Sequence, residues 1–142
     1  MIAARVLCHP PARAAIAAHA TAAWPREACG LLVGRTLPDG AVEIVRAEAA
    51  ANLAVDADAF ELDPAARLAL QRGLRAAAEG LKIVGHYHSH PDAPARPSAR
   101  DRARAEETGL IWLIAAATRA GCADLGAFVA VPGPELLPLP LA

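Results

Sequence analysis

Short apolar runs punctuated by proline and glycine alternate along the chain with stretches in which Ala and Leu recur every three or four residues, the rhythm of strands interleaved with helices. Residues 5–8 form a first apolar run, stopped by Pro10 and Pro11, and read as a strand. Residues 11–23 are Ala-rich, proline is tolerated in a first helical turn, and Ile16, Ala20 and Ala23 or Trp24 are spaced for one buried face, so a helix is expected up to Pro25. Residues 28–33, ended by Gly34, read as a buried strand. Pro38-Asp39-Gly40 is a turn signal, and 41–47 continue as the hairpin partner. Residues 48–62 have no period, because Asn52, Asp56 and Asp58 interrupt an Ala-rich background, and 60–62 read as a short strand or an extended lead-in.

Asp63-Pro64 is a strong helix start, an N-cap acceptor followed by proline at the first helical position. Leu70, Leu74, Ala77 and Leu81 follow at helical spacing, and Gly80 stands where a C-terminal glycine belongs. Residues 82–90 read as a strand whose pairing ends at Pro91, which has no N–H to give. Ser98 and Asp101 open a charged helix to about residue 108, strands are expected over 110–116 and 125–131, and the Pro-rich tail from Pro132 closes with one edge strand. The pattern predicts an α/β domain with a mixed sheet.

Composition narrows this picture. At 142 residues the chain is expected to be one domain, 1–142, and with 55% hydrophobic but only 4% aromatic residues its core must be built from Ala, Leu, Val and Ile. A net charge of −1 gives no electrostatic case for nucleic acid or an anionic membrane, although Arg96, Arg100, Arg102 and Arg104 make one segment locally basic. Cys8, Cys29 and Cys122 are odd in number and widely spaced, which fits neither a disulfide framework nor a Cys-x-x-Cys metal site, and a reducing cytoplasm is expected. The N-terminus lacks the apolar stretch of a signal peptide, and the longest apolar run, 110–117, is too short to span a bilayer.

Residues 85–101 concentrate the candidate chemistry: three of the five histidines fall within five positions. In a strand His86, His88 and His90 share one face while Tyr87 and Ser89 point away. Pro91, Pro94 and Pro97 stiffen the loop that returns Asp101 to the strand, so His88, His90 and Asp101 would make three protein ligands for zinc with a fourth position open to water. Two histidines at alternate positions also arise by chance, and Ser98-x-x-Asp101 has an ordinary reading as a capping box. The capping and ligand roles can coexist.

Gly85-His86-Tyr87-His88-Ser89-His90-Pro91 followed by Ser98-x-x-Asp101 resembles the signature of the JAMM (MPN-type) zinc metalloproteases: His-x-His, seven residues, Ser, two residues, Asp. Upstream, Glu27-Ala-Cys-Gly-Leu-Leu-Val-Gly34 is similar to the segment of that family that carries a glutamate at the start of a strand, and Phe60-Glu61-Leu62-Asp63-Pro64 also resembles it. The resemblance implies a mixed, curved β-sheet flanked by two long helices, with a short helix after the metal loop. It implies zinc held by His88, His90 and Asp101, lowering the pKa of bound water toward about 7. Glu27 would be the general base and Ser98 a hydrogen-bond donor to the oxyanion.

On this reading His86 is a bystander near the site, Cys29 a buried inert thiol, and His9 and His19 surface or capping residues. Arg96 and Arg100 are solvated loop charges or hold a substrate tail. The implied reaction is hydrolysis of an amide bond at the C-terminal Gly-Gly of a ubiquitin-like or sulfur-carrier protein, whose extended tail could add as a strand to an exposed sheet edge. The alternatives are a catalytically silent scaffold, which usually loses the ligands kept here, and a zinc hydrolase of another small peptide or amide. A nucleobase deaminase has no support, since Pro-Cys-x-x-Cys is absent.

Overall fold

The expected strands are all present in the computed structural model, which describes residues 2–142, except that 60–62 contribute only an isolated bridge between Leu62 and Asn52. The elements are β1 (Val6–Cys8), α1 (Pro10–Ala23), β2 (Cys29–Thr36), β3 (Val42–Ala50), α2 (Pro64–Ala77), β4 (Lys82–Pro91), α3 (Ala99–Arg104), β5 (Ile111–Thr118), β6 (Gly121–Val131) and β7 (Glu135–Leu139). They form one curved mixed sheet of seven strands in the order β1-β3-β2-β4-β5-β6-β7, with β1–β3 and β4–β5 parallel and the other pairs antiparallel. β2, β3 and β6 run beyond their apolar runs because each extension finds a ladder partner, as where Gly121 pairs with Thr118.

The outer edge of β1 is covered by the C-terminal residues. Val6 N donates to Pro140 O at 2.9 Å, Cys8 N to Ala142 O at 2.8 Å, and Ala142 N back to Val6 O at 3.0 Å. The two ends of the chain thus tie the far sides of the sheet together.

Two apolar layers flank the sheet. On one face α1 buries Ala12, Ile16 and Ala20 against Leu32, Ile44, Leu113 and Val129; on the other Phe60, Trp112, Ile114, Phe128 and Leu136 cluster around Cys29. Close approach, rather than a turn, demands glycine in two strands: a Cβ on Gly34 would lie 1.8 Å from Glu43 O, and one on Gly85 1.9 Å from Ile111 O.

The helices depart from expectation at their ends. α2 starts as expected, with Asp63 accepting from Ala65 N at 2.9 Å, but stops at Ala77, and Ala78 rather than Gly80 takes the left-handed cap at φ 55°. Leu81 therefore lies outside it, and Leu74 is its one buried residue, so α2 rests on the sheet by a narrow contact. α3 ends at Arg104, short of residue 108, because Ala105 leaves helical geometry to enter the second apolar layer. No helix among the described residues is long and apolar enough to cross a membrane.

Candidate metal centre

The two-residue period of β4 sends His86, His88 and His90 to one side and Tyr87 to the other, where its ring lies over Gly30 in the α1 layer. There the Tyr87 hydroxyl and His19 Nδ1 share a hydrogen bond of 2.6 Å, and burial holds the tyrosine protonated and favours the neutral imidazole. His19 is thus a tether between α1 and β4 rather than a surface residue. His9 occupies the N-cap position of α1 without capping through its side chain and pairs with Glu43 at 3.1 Å.

On the histidine side, His88, His90 and Asp101 are all buried and converge. His88 Nε2 lies 3.0 Å from His90 Nε2; Asp101 Oδ1 is 3.2 Å from the former and Asp101 Oδ2 3.0 Å from the latter. His90 Nδ1 donates to Pro94 O at 3.0 Å, so the neutral ring would offer its Nε2 lone pair to a metal, while the protonated ring donates from Nε2 to Asp101 Oδ2. The proline-bearing loop therefore orients an imidazole as well as shortening the path to Asp101. Asp101 and Ser98 also close a capping box: Ser98 N donates to Asp101 Oδ2 at 2.9 Å and Asp101 N to Ser98 Oγ at 3.1 Å. The capping box is thus present, and this helix start holds the carboxylate that faces the histidines.

Glu27 sits just ahead of β2, buried, and the antiparallel register of Cys29 with His88 carries it across to the cluster. One of its carboxylate oxygens lies within 4.8 Å of the ligand nitrogens of His88 and His90. Two carboxylates thus face two imidazoles, and their environments separate them. Burial alone would raise the Asp101 carboxyl, but hydrogen bonds from His88 and His90 and from Ser98 N–H outweigh it and hold the group well below the usual carboxylate range. Glu27 has no such donors; burial, with Asp101 and Asp58 nearby, pushes it to about 7 against the opposing effect of His90. One carboxylate is thus held in its ionised form, the form a metal would need, and the other is placed to gain or lose a proton near neutral pH.

The donor set suits a borderline cation such as zinc: two imidazole nitrogens 3.0 Å apart and a carboxylate held in its ionised form, all buried. Phe60 stacks on His88 with centroids 4.3 Å apart at 18°. His86 lies one strand step further off, packed against Trp112, with Nδ1 buried and unpartnered and its pKa lowered to about 3 by burial and then His88. Among the described residues it makes no hydrogen bond or salt bridge to the carboxylates. Cys29 is fully buried, and its thiol is pushed up to about 11, first by burial and then by Glu27. Arg96 is exposed, whereas Arg100 donates to Asp58 O at 3.3 Å and ties α3 to the loop before α2.

The sequence reading passed over Asn52 and Ser89. Asn52 Nδ2 donates to Glu27 O at 3.0 Å, and Ser89 Oγ accepts from Ala28 N at 2.8 Å. The one signal for Asn52 was a lone amide side chain in an Ala-rich stretch. Ser89 stood inside the motif but was assigned only to the far face.

Comparisons with known proteins place the chain among relatives. Over 91 residues, 63% of this chain and 62% of the relative, the sequence is 37% identical to a desampylase of Haloferax volcanii. It is 34% identical over 101 residues, 70% of this chain and 36% of the relative, to the tail tip assembly protein K of Escherichia phage N15. It is 36% identical over 84 residues, 59% of this chain and 52% of the relative, to a Thermus thermophilus protein named "Probable TtuB-protein conjugate cleaving protease". The chain thus spans between about a third and three fifths of the length of these curated relatives. Among solved structures, a Desulfitobacterium hafniense protein superposes with a TM-score of 0.81 at 29% identity, covering 96% of this chain and 91% of the other. A Salinibacter ruber protein does so with a TM-score of 0.72 at 30% identity, covering 95% and 89%. The family model for prokaryotic homologs of the JAB domain matches residues 9–128, so the chain belongs to this family, the small prokaryotic branch of the JAMM group that its two motifs resemble.

Proposed function

We propose that this protein is a zinc-dependent peptidase or isopeptidase that cleaves the amide bond following the C-terminal Gly-Gly of a ubiquitin-like or sulfur-carrier protein. The observation that carries the reading is the convergence of His88 Nε2, His90 Nε2 and the ionised Asp101 opposite a Glu27 held near neutrality. His88, His90 and Asp101 would hold the ion, which when bound supplies a Lewis acid that polarises the scissile carbonyl and acidifies water. Glu27, at about 7, takes the proton of the attacking water and returns it to the leaving nitrogen, the two transfers that amide hydrolysis requires. Ser98 Oγ already accepts from Asp101 N, which leaves its own proton free to donate to the oxygen that gains charge as the carbonyl becomes tetrahedral. Asp101 bonds the Ser98 backbone N–H, and no base accepts from Ser98 Oγ, so Ser98 is read as a donor and not a nucleophile. Phe60 keeps water off the His88 ring face.

The names of the Haloferax and Thermus relatives support a conjugate of a ubiquitin-like protein as substrate. A silent scaffold is disfavoured because both imidazoles, both carboxylates and Ser98 are retained together. The test is cleavage of a ubiquitin-like protein extended beyond its Gly-Gly by zinc-loaded wild type and Glu27→Gln. The wild type is expected to cleave and Glu27→Gln to retain zinc yet lose at least about 100-fold in rate. Equal rates would overturn the assignment of the base.

A further inference from the structure

Residues 51–62 contain no helix or strand, yet one side chain within them uses its full hydrogen-bonding capacity. Asn52 Nδ2 donates to Glu27 O at 3.0 Å and to Ala59 O at 2.9 Å, while Oδ1 accepts from Ala54 N at 2.9 Å and Glu61 N at 3.0 Å. A carboxamide has two N–H groups and one carbonyl with two lone pairs, so nothing is left over. Glu27 precedes β2 and belongs to no ladder. Its backbone is instead held by Asn52 at the carbonyl and by Ala57 O, 3.2 Å from Glu27 N. The next residue is locked to the metal strand, with Ala28 N donating to Ser89 Oγ at 2.8 Å and Ser89 N to Ala28 O at 3.0 Å. The same loop ends at Phe60, whose ring covers His88.

We propose that Asn52 is a positioning residue for the reaction: by holding the Glu27 carbonyl and closing the loop that carries Phe60, it fixes the Glu27 carboxylate opposite His88 and His90. This rests on the reading of Glu27 as the general base. A purely structural Asn52 would serve only to fold the loop, and Asn52→Asp separates the two roles. The carboxylate keeps the acceptors for Ala54 N and Glu61 N, but both donors are lost, and Glu27 O and Ala59 O are left without their partner. Displacing a reacting group by about 1 Å costs up to about 100-fold in rate.

The experiment compares zinc-loaded wild type, Asn52→Asp and Glu27→Gln on a ubiquitin-like protein extended beyond Gly-Gly, and records NMR cross-relaxation between the Glu27 side chain and the His90 ring. For Asn52→Asp, kcat is expected to fall about 30- to 100-fold with KM within about two-fold and zinc stoichiometry unchanged. The Glu27–His90 cross-peaks should weaken to the noise. A kcat within three-fold of wild type, or cross-peaks of wild-type intensity, overturns the proposal. If wild type itself does not cleave, or Glu27→Gln cleaves as fast, the general-base reading fails, while the cross-peaks still decide whether Asn52 positions Glu27. Should Asn52→Asp fail to fold, Asn52→Gln, with the same groups on a longer stem, is read by the same two measurements.

Discussion

The same chemical change, Gly to Ala, should have opposite effects at two sites. Gly73 lies on the exposed side of α2, and a Cβ there meets nothing within 4 Å. Alanine lowers the entropy of the unfolded chain and raises helix propensity, so Gly73→Ala should stabilise the protein by about 1 kcal/mol. At Gly85 the added Cβ would lie 1.9 Å from Ile111 O, 2.7 Å from its carbonyl carbon and 2.8 Å from its nitrogen. Ordinary contact begins near 3.4 Å, so β4 and β5 must separate by more than an ångström at a register pair in the middle of the sheet. Backbone cannot rotate away as a side chain can, and a cost of about 3 kcal/mol or more follows. With an unfolding entropy of about 2.1 cal/mol/K per residue, a chain of 142 residues shifts its Tm by about 3 °C per kcal/mol. Thermal melts followed by circular dichroism should therefore show Gly73→Ala about 3 °C above wild type and Gly85→Ala about 10 °C below it. A Gly85→Ala protein melting within 2 °C of wild type would refute the close approach of the strand that carries the histidines.

Other perturbations read different parts of the molecule. Cys8 and Cys29 are buried with raised pKa values, whereas Cys122 is only half-buried, so a thiol reagent at pH 7.5 should modify Cys122 in the native protein and all three only after unfolding, by mass spectrometry. His86 is neutral when folded, with its pKa lowered to about 3, whereas the unfolded chain takes up that proton below about 6.5. Stability should therefore fall as pH drops between those values, by about 1.4 kcal/mol per pH unit from this group, and urea midpoints at pH 7 and 5 should differ less in His86→Phe than in wild type. Leu68 is 47% exposed and Leu74 only 7%, so Leu74→Ala should cost about 2–3 kcal/mol in urea unfolding and Leu68→Ala less than about 0.5 kcal/mol.

Features written in local sequence were the ones legible before folding. Strand alternation placed His88 and His90 on one side and Tyr87 on the other, and the Ser98 and Asp101 pair announced both a helix start and a carboxylate beside the histidines. Two motifs about sixty residues apart located Glu27, which no periodicity would have singled out. What stayed hidden depends on partners far along the chain. Asn52 interrupts a pattern locally, and its four bonds exist only once the loop folds over Glu27. His19 looked solitary because its partner, Tyr87, lies sixty-eight positions away. The end of α2 was misjudged because glycine is the usual left-handed cap, yet here Ala78 takes that conformation and Gly80 a second one at φ 73°.

The pairing of β1 with residues 140–142 bears on how the chain reaches its native state. Val6 and Cys8 are hydrogen-bonded to Pro140 and Ala142, far along the sequence, so the contacts that finish the first strand become possible only once residues 140–142 have been made. Loop closure over such a separation is entropically costly and slow, and chains dominated by distant pairings fold on the millisecond-to-second scale. Until residues 140–142 reach it, the edge of β1 stays open to foreign strands. The interval between synthesis and closure is when this protein is most exposed to aggregation.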